Sequence, residues 1–180
     1  MVSKPKHSVS FNGTILEISD PPLQAGQSMP FFTLTMNDFS DVESSKWAGR
    51  ILMISSLPSI DTPTCAQQTR RFNQEACRLS QDVIVLIVSM DLPFAQSRWC
   101  GAEGCNRVIT ASDFKQRCFG RAFGTYVQEL GLLSRAVFVV DKAGKLAYLE
   151  YVPELTHQPN YDAAISKVVQ LIQYHNLAGS

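Results

Sequence analysis

Sulfur is the chemistry this sequence offers most plainly. Five cysteines stand at positions 65, 77, 100, 105 and 118. Cys65 closes the stretch Pro58-Ser-Ile-Asp-Thr62-Pro-Thr-Cys65, which follows an apolar run and opens a helical pattern. A cysteine in the first turn of a helix lies among backbone N–H groups that lack a carbonyl partner, at the positive end of the helix dipole. Both effects favour thiolate over thiol, and the thiolate is the nucleophile. The bland alternative is a structural cysteine that happens to begin a helix. Nothing at Cys65 alone decides between them.

The other four cysteines carry weaker signals. Cys77 falls within the helix after Cys65 and is expected to be a small buried hydrophobe. Cys100, Cys105 and Cys118 could be imagined as zinc ligands. Their spacing is not the usual C-x₂₋₄-C and no histidine is near, so no metal is expected. Taken alone, Cys100 is an ordinary thiol. The histidines are His7, His157 and His175. None pairs recognisably with Cys65, which argues against a Cys–His hydrolase. His7 and His175, near the chain ends, are expected to be solvated.

These residues need a frame to hold them. Ser8–Phe11 and Thr14–Ile18 flank Asn12-Gly13, a strong two-residue hairpin signal. Residues 20–29 hold two prolines and Gly26 and read as loop. Ile51–Leu57 and Val83–Met90 read as buried strands, with a helix between them reaching about Ser80. Strand, helix, strand at this spacing implies a parallel pair with a right-handed crossover. Pro93–Cys100 reads as a short helix ending near Gly101, and Val108–Thr110 as a short strand. Ser112 is expected to cap a helix running through Phe119. Ala136–Asp141 and Lys145–Val152 flank a turn at 142–144. Asn160 is expected to cap a last helix with Ile165, Val168, Val169 and Ile172 along one stripe. The pattern predicts an α/β protein with a mixed sheet, formed as one domain over residues 1–180.

Several stretches together resemble one family. Pro-x-x-x-Thr-x-x-Cys, matched by Pro58, Thr62 and Cys65, is similar to the peroxiredoxin active-site motif. Asp91-Leu-Pro-Phe-Ala-Gln-Ser-Arg-Trp-Cys100-Gly-Ala-Glu-Gly104 resembles the resolving-cysteine segment of the bacterial thiol peroxidases, which are atypical two-cysteine peroxiredoxins. Phe72-Asn-Gln, Leu133-Ser-Arg135-Ala-Val, and Val152-Pro-Glu-Leu-Thr156 leading to Pro159-Asn-Tyr-Asp-Ala-Ala164 extend the likeness from about Val9 to Leu171. The resemblance implies a thioredoxin-like fold with the N-terminal hairpin as an extension. It implies that Cys65 attacks a hydroperoxide and that Cys100 closes a disulfide onto it, with thioredoxin as reductant. It assigns Arg135 as fixed positive charge, Thr62 as a hydroxyl near the sulfur, and Pro58 as a wall against water. It implies a homodimer and no metal or organic cofactor. Read without the resemblance, Arg135 could be a surface arginine, Thr62 could shape the turn before Pro63, and Cys105 could be the resolver instead. The sequence departs from the family between Phe123-Gly124 and Arg135, where a longer loop with Asp-Gly-Pro is the pattern. That leaves the loop shape and the dimer contacts open.

Composition removes some partners. The 180 residues carry zero formal net charge, so no electrostatic footprint marks a nucleic-acid or anionic membrane surface. The longest apolar run, Val83–Val88, is far short of the roughly 18 residues of a membrane span. The start, MVSKPKHSVSFNG, has no apolar segment of the secretory kind. The cytoplasm is therefore the expected location. A thiol–disulfide exchange protein on the same fold is a rival reading, but such proteins generally carry Cys-x-x-Cys, which this chain lacks. A redox-sensing module that uses its disulfide as a switch is the other.

Overall fold

In a computed structural model, residues 7–178 are described. Two short strands, β1 (His7–Phe11) and β2 (Thr14–Ile18), form the expected hairpin. Asn12 and Gly13 both take positive φ (50° and 82°), the type I′ geometry that matches strand twist. Then follow β3 (Thr33–Thr35), β4 (Asp41–Glu43), a single 3₁₀ turn at Ser44–Trp47 and β5 (Ile51–Ser56). Helix α1 (Pro63–Ala76), β6 (Val83–Ser89), α2 (Pro93–Glu103) and β7 (Val108–Ser112) complete the crossover region. The chain ends with α3 (Cys118–Ala122), β8 (Tyr126–Val127), β9 (Leu132–Leu133), β10 (Ala136–Val140), β11 (Leu146–Tyr151) and α4 (Tyr161–Ala178).

Seven strands form one mixed sheet in the order β11-β10-β5-β6-β7-β3-β4. The central β5, β6 and β7 are parallel, and β10 and β3 flank them antiparallel. Strand alternation divides the core into two layers. Ile51 and Met53 of β5, Val85 and Ile87 of β6, and Val137 and Val139 of β10 face α1, α2 and α4. Leu52, Ile54, Leu86, Val88 and Phe138 face the other way, onto Phe32, Trp47, Phe119 and Phe123. Burial on both faces explains why β5 and β6 read as continuous apolar runs.

Several boundaries differ from the sequence reading, each for a local reason. Helix α1 stops at Ala76, short of Ser80, because the Arg107 guanidinium caps it, donating to the Ala76 carbonyl at 3.0 and 3.2 Å. Helix α2 continues past Gly101 to Glu103 and ends at Gly104, whose left-handed φ of 65° reverses the chain. Ser112 does not cap a helix. It is the last residue of β7, and its hydroxyl donates to the Asp91 carbonyl at 2.5 Å. The cap of α3 is Asp113, whose carboxylate accepts from the Phe119 and Gly120 N–H groups at 3.1 and 2.8 Å. Cys77 is exposed, not buried. His7 is partly buried, stacks edge-on against Tyr151 and meets the Gly124 carbonyl at 2.7 Å. In α4 the Asn160 side chain caps the helix as expected, accepting from the Ala163 N–H at 3.0 Å, but Val169 faces solvent. The shortened loop before Arg135 folds as a small hairpin, β8 against β9, with residues 128–131 as its turn.

The Asp113 cap has a measurable consequence. Burial pushes its carboxyl up to about 6, and the N–H groups of Gly120, Phe119 and Cys118 only partly offset this. A folded-state value above the unfolded 3.8 means the group favours the fold most when protonated. That contribution is present below pH 4 and is lost as pH rises through about 6. Relative to Asp113→Asn, the wild type is expected to lose up to ~3 kcal/mol of unfolding free energy between pH 4 and pH 7. Denaturant titrations of both proteins across that range check this, and parallel profiles would contradict it.

Candidate active site

The turn before α1 fixes Cys65. Thr62 has extended backbone (φ −86°, ψ 145°), and its hydroxyl accepts from the Cys65 N–H at 3.4 Å. Its own proton goes to the Ser59 carbonyl at 3.0 Å. Pro63 occupies the first helical position, where a missing N–H costs nothing. Cys65 thus lies in the first turn, and it is fully buried. The Thr62 hydroxyl acts here as helix cap and does not donate to the sulfur.

Arg135 precedes β10, which pairs with β5. That register carries its side chain to the mouth of the β5–α1 turn. One terminal nitrogen donates to Cys65 Sγ at 3.3 Å and to the Leu155 carbonyl at 2.8 Å. The other donates to the side-chain oxygen of Gln68. Gln68 is oriented in turn by the Ser55 hydroxyl, to which its amide donates at 2.5 Å. Arg135 is 1% exposed and its Nε has no partner. The ion pairs of the described residues do not include it. A buried guanidinium without a carboxylate is costly unless another anion sits beside it. The neighbouring group able to become that anion is the Cys65 sulfur.

A cavity of about 290 Å³ opens at this point. Phe11, Pro58, Leu130, Leu132 and Leu155 give it apolar walls, and Arg135 is the charged residue on its lining. Thr62, Pro63 and Thr64 line it too, while Cys65 itself lies behind the surface. The N-terminal hairpin helps to build this wall. The Ser10 N–H donates to the Pro153 carbonyl at 2.7 Å and Leu155 N–H to the Ser10 carbonyl at 2.9 Å. Those bonds fix Leu155, whose carbonyl receives Arg135. The cavity combines an apolar mouth with a cationic, donor-rich end, an arrangement suited to a small polar head carrying an apolar tail.

Cys100 is placed apart from this cluster. It lies on α2, half-buried, with Sγ 3.4 Å from the Thr110 hydroxyl. The neighbouring Cys105, with smaller help from Thr110, outweighs burial and brings Cys100 down to about 7. All five cysteines are free thiols. Cys118 belongs elsewhere: it exchanges hydrogen bonds with the Thr33 backbone at 2.9 and 3.1 Å on the opposite face of the sheet. Helix α2 buries Pro93, Gln96 and Trp99 and is otherwise held from outside. Arg70 reaches Glu103 at 2.6 Å, and Arg98 reaches Asp61 at 3.3 Å.

Two positioning residues were not legible beforehand. Gln68 shares a helix face with Cys65, which was the available signal. Asp91 sits at the head of the α2 loop, and its carboxylate accepts from the Ser59 hydroxyl, the Ile60 N–H and the Ser89 hydroxyl, each at 2.7 Å. It fastens the loop before Cys65 to the loop before α2. Only the tertiary fold brings those loops together.

A mixed sheet flanked by helices, with a cysteine opening the helix after its first parallel strand, is the architecture of the thioredoxin-like proteins. The Redoxin family model matches residues 24–165. The chain is 46% identical over 159 residues to a thiol peroxidase of Oceanobacillus iheyensis, covering 88% of this chain and 96% of that one. It is 44% identical over 165 residues to a thiol peroxidase of Bacillus subtilis, covering 92% and 98%. A peroxiredoxin-like protein from Aquifex aeolicus superimposes with a TM-score of 0.85 at 36% identity, over 91% of this chain and 96% of that one. The chain belongs to the Redoxin family and, within it, to the thiol peroxidases, which are peroxiredoxin-type enzymes.

The contact between Gln68 and Arg135 yields a test. Gln68→Glu puts a carboxylate where the amide oxygen now meets the guanidinium, so it competes with the Cys65 sulfur for the same charge. Alkylation of Cys65 by iodoacetamide at neutral pH is expected to slow at least about tenfold, with no loss of thermal stability. An unchanged alkylation rate would show that Arg135 does not govern the sulfur.

Proposed function

We propose that the protein reduces hydrogen peroxide and organic hydroperoxides through Cys65. The observation that carries this reading is the buried, carboxylate-free Arg135 guanidinium 3.3 Å from the Cys65 sulfur. The Cys65 thiolate attacks one peroxide oxygen in line with the O–O bond. An S–O bond forms, the O–O bond breaks, and the second oxygen leaves as alkoxide or hydroxide. Arg135 and first-turn N–H groups stabilise the charge on that oxygen. The Thr62 hydroxyl leaves Ser59 to donate to it. The apolar wall formed by Phe11, Leu130 and Leu132 accommodates an alkyl group, and Pro58 shields the sulfur from water and over-oxidation.

Cys65 is now a sulfenic acid. The Cys100 thiolate attacks its sulfur, forming the disulfide and releasing hydroxide, which is protonated to water. A dithiol protein, thioredoxin, returns both thiols by exchange. Cys65 and Cys100 belong to separate helices facing the same sheet, and a disulfide requires Cα atoms within roughly 4.4–6.8 Å. We propose that α2 unwinds to deliver Cys100. Its few buried side chains and the adjacent Gly101 and Gly104 support this. We also propose that the whole chain acts as one domain, in the cytoplasm, as a homodimer. Five free thiols fit a reducing compartment. Phe39 and Phe94, tilted against each other with ring centroids 4.7 Å apart and 39% and 69% exposed, offer an apolar contact for a second copy.

A coupled assay with thioredoxin, its reductase and hydroperoxide tests the cycle. Cys65→Ser is expected to be inactive. Cys100→Ser is expected to react once, leave a trappable sulfenic acid on Cys65, and then stall. A Cys65→Ser protein that still turned over would overturn the assignment. Amide exchange supplies the structural check: on oxidation, residues 93–104 are expected to exchange faster while α4 does not change. Equal protection of α2 in both states would exclude the unwinding.

A further inference from the structure

Helix α2 ends by folding the chain back on itself. Gly104 is left-handed (φ 65°, ψ 40°), and the N–H groups of Gly104 and Cys105 both donate to the Cys100 carbonyl, the latter at 3.1 Å. A helix closed by this reversal brings the residue just past the glycine against the side chain at the start of the last turn. Here both residues are cysteines. The reversal sets Cys105 beside Cys100, and both side chains pack half-buried on the apolar cluster that contains Cys65. Zinc chemistry does not explain the pair, since no third ligand joins it among the described residues.

We propose that Cys105 takes over the disulfide from Cys65 by exchange, so that a half-exposed Cys100–Cys105 disulfide is the form presented to the dithiol reductant. This rests on the reading of Cys65 as the peroxide-reactive sulfur and Cys100 as its resolver. The Cys105 thiolate attacks Cys100 Sγ. The Cys100–Cys105 bond forms as the Cys65–Cys100 bond breaks, and Cys65 leaves with the electron pair of the broken bond. The proton of Cys105 passes to solvent. One disulfide replaces another, so no outside oxidant or reductant is consumed.

Three features favour this step. The leaving sulfur returns to the Arg135 guanidinium, which receives it as an anion. Access differs sharply, because Cys65 is fully buried whereas Cys100 and Cys105 are both partly open to solvent. The third is a change of state at Cys105. In the reduced protein its hydrogen bond to Cys100, burial and the Cys100 charge all hold the Cys105 thiol well above its ordinary range. Once Cys100 is tied into a disulfide, that bond and that charge are gone and Cys105 ionises more readily.

The full-length protein, treated with one equivalent of hydrogen peroxide, quenched in acid and alkylated under denaturing conditions, provides the test. Trypsin releases Cys100 and Cys105 together in residues 99–107, and Cys65 in residues 51–70. The expected product is the 99–107 peptide lighter by two hydrogens, beside an alkylated Cys65 peptide. Cys105→Ser is expected to form the Cys65–Cys100 disulfide at the wild-type rate but to lose turnover with thioredoxin by about tenfold or more. If the wild type holds only the Cys65–Cys100 disulfide and Cys105→Ser turns over normally, the exchange is overturned while the peroxidase reading stands. If peroxide leaves Cys100 out of every disulfide, the resolver assignment fails and the exchange fails with it.

Discussion

The Arg135 guanidinium is the point on which the site is assembled. It is buried beside β10, and four groups from three parts of the chain converge on it: the Cys65 sulfur from the start of α1, the Gln68 amide one turn later, the Leu155 carbonyl after β11, and, through Gln68, the Ser55 hydroxyl of β5. A charge so placed must be held by dipoles and answered by an anion. The carbonyl and amide supply the dipoles. The sulfur is the remaining group in contact with it. Much of the fold can be read as the means of keeping that charge dry. The β1–β2 hairpin fixes Leu155 and contributes Phe11 to the cavity wall, and the small β8–β9 hairpin contributes Leu132.

The two cysteines of the proposed cycle have opposite settings. Cys65 is enclosed by the helix that it opens and by the central strands. Cys100 rides on a helix held mostly by Trp99, Gln96 and two exposed ion pairs, Arg70–Glu103 and Arg98–Asp61. Exposed pairs of this kind contribute about 0–1 kcal/mol each. Asp91 joins the two settings, binding the loop of one and heading the helix of the other. One sulfur is thus packed on all sides and the other lightly held, inside one continuous sheet.

The parts of this arrangement that were legible in the sequence are those encoded locally. Asn12-Gly13 specifies its own turn, and the β5 and β6 apolar runs specify buried strands. The stretch from Pro58 to Cys65 marks a helix start, whereas the capping by Thr62 shows only in the fold. Arg135 lies 70 residues from Cys65, so its place beside the sulfur was available only through family resemblance. Gln68 and Asp91 were invisible for the same reason, since their partners are assembled by the fold. The end of α1 is not encoded nearby, because its cap is the side chain of Arg107, distant in sequence. Ser112 looked like a cap because its neighbour Asp113 does that work, for a helix that begins later. Strands of two or three residues, such as β3, β4, β8 and β9, are too short for alternation to register.

The position of α2 in the strand order bears on how the protein survives repeated use. This helix connects β6 to β7, and both are interior strands: β6 lies between β5 and β7, and β7 between β6 and β3. If α2 melts, the parallel ladders joining β6 to β5 and to β7 remain closed, so the centre of the sheet uncovers no row of free N–H and C=O groups as a template for intermolecular pairing. What is bared is a patch of side chains around Trp99. The sheet's two outer margins lie elsewhere. One is the three-residue β4 with Asp41 and Glu43 facing water, and the other, β11, is latched at its start by Gly26 and Met29. A redox-driven loosening at α2 is thereby separated from the margins through which β proteins aggregate.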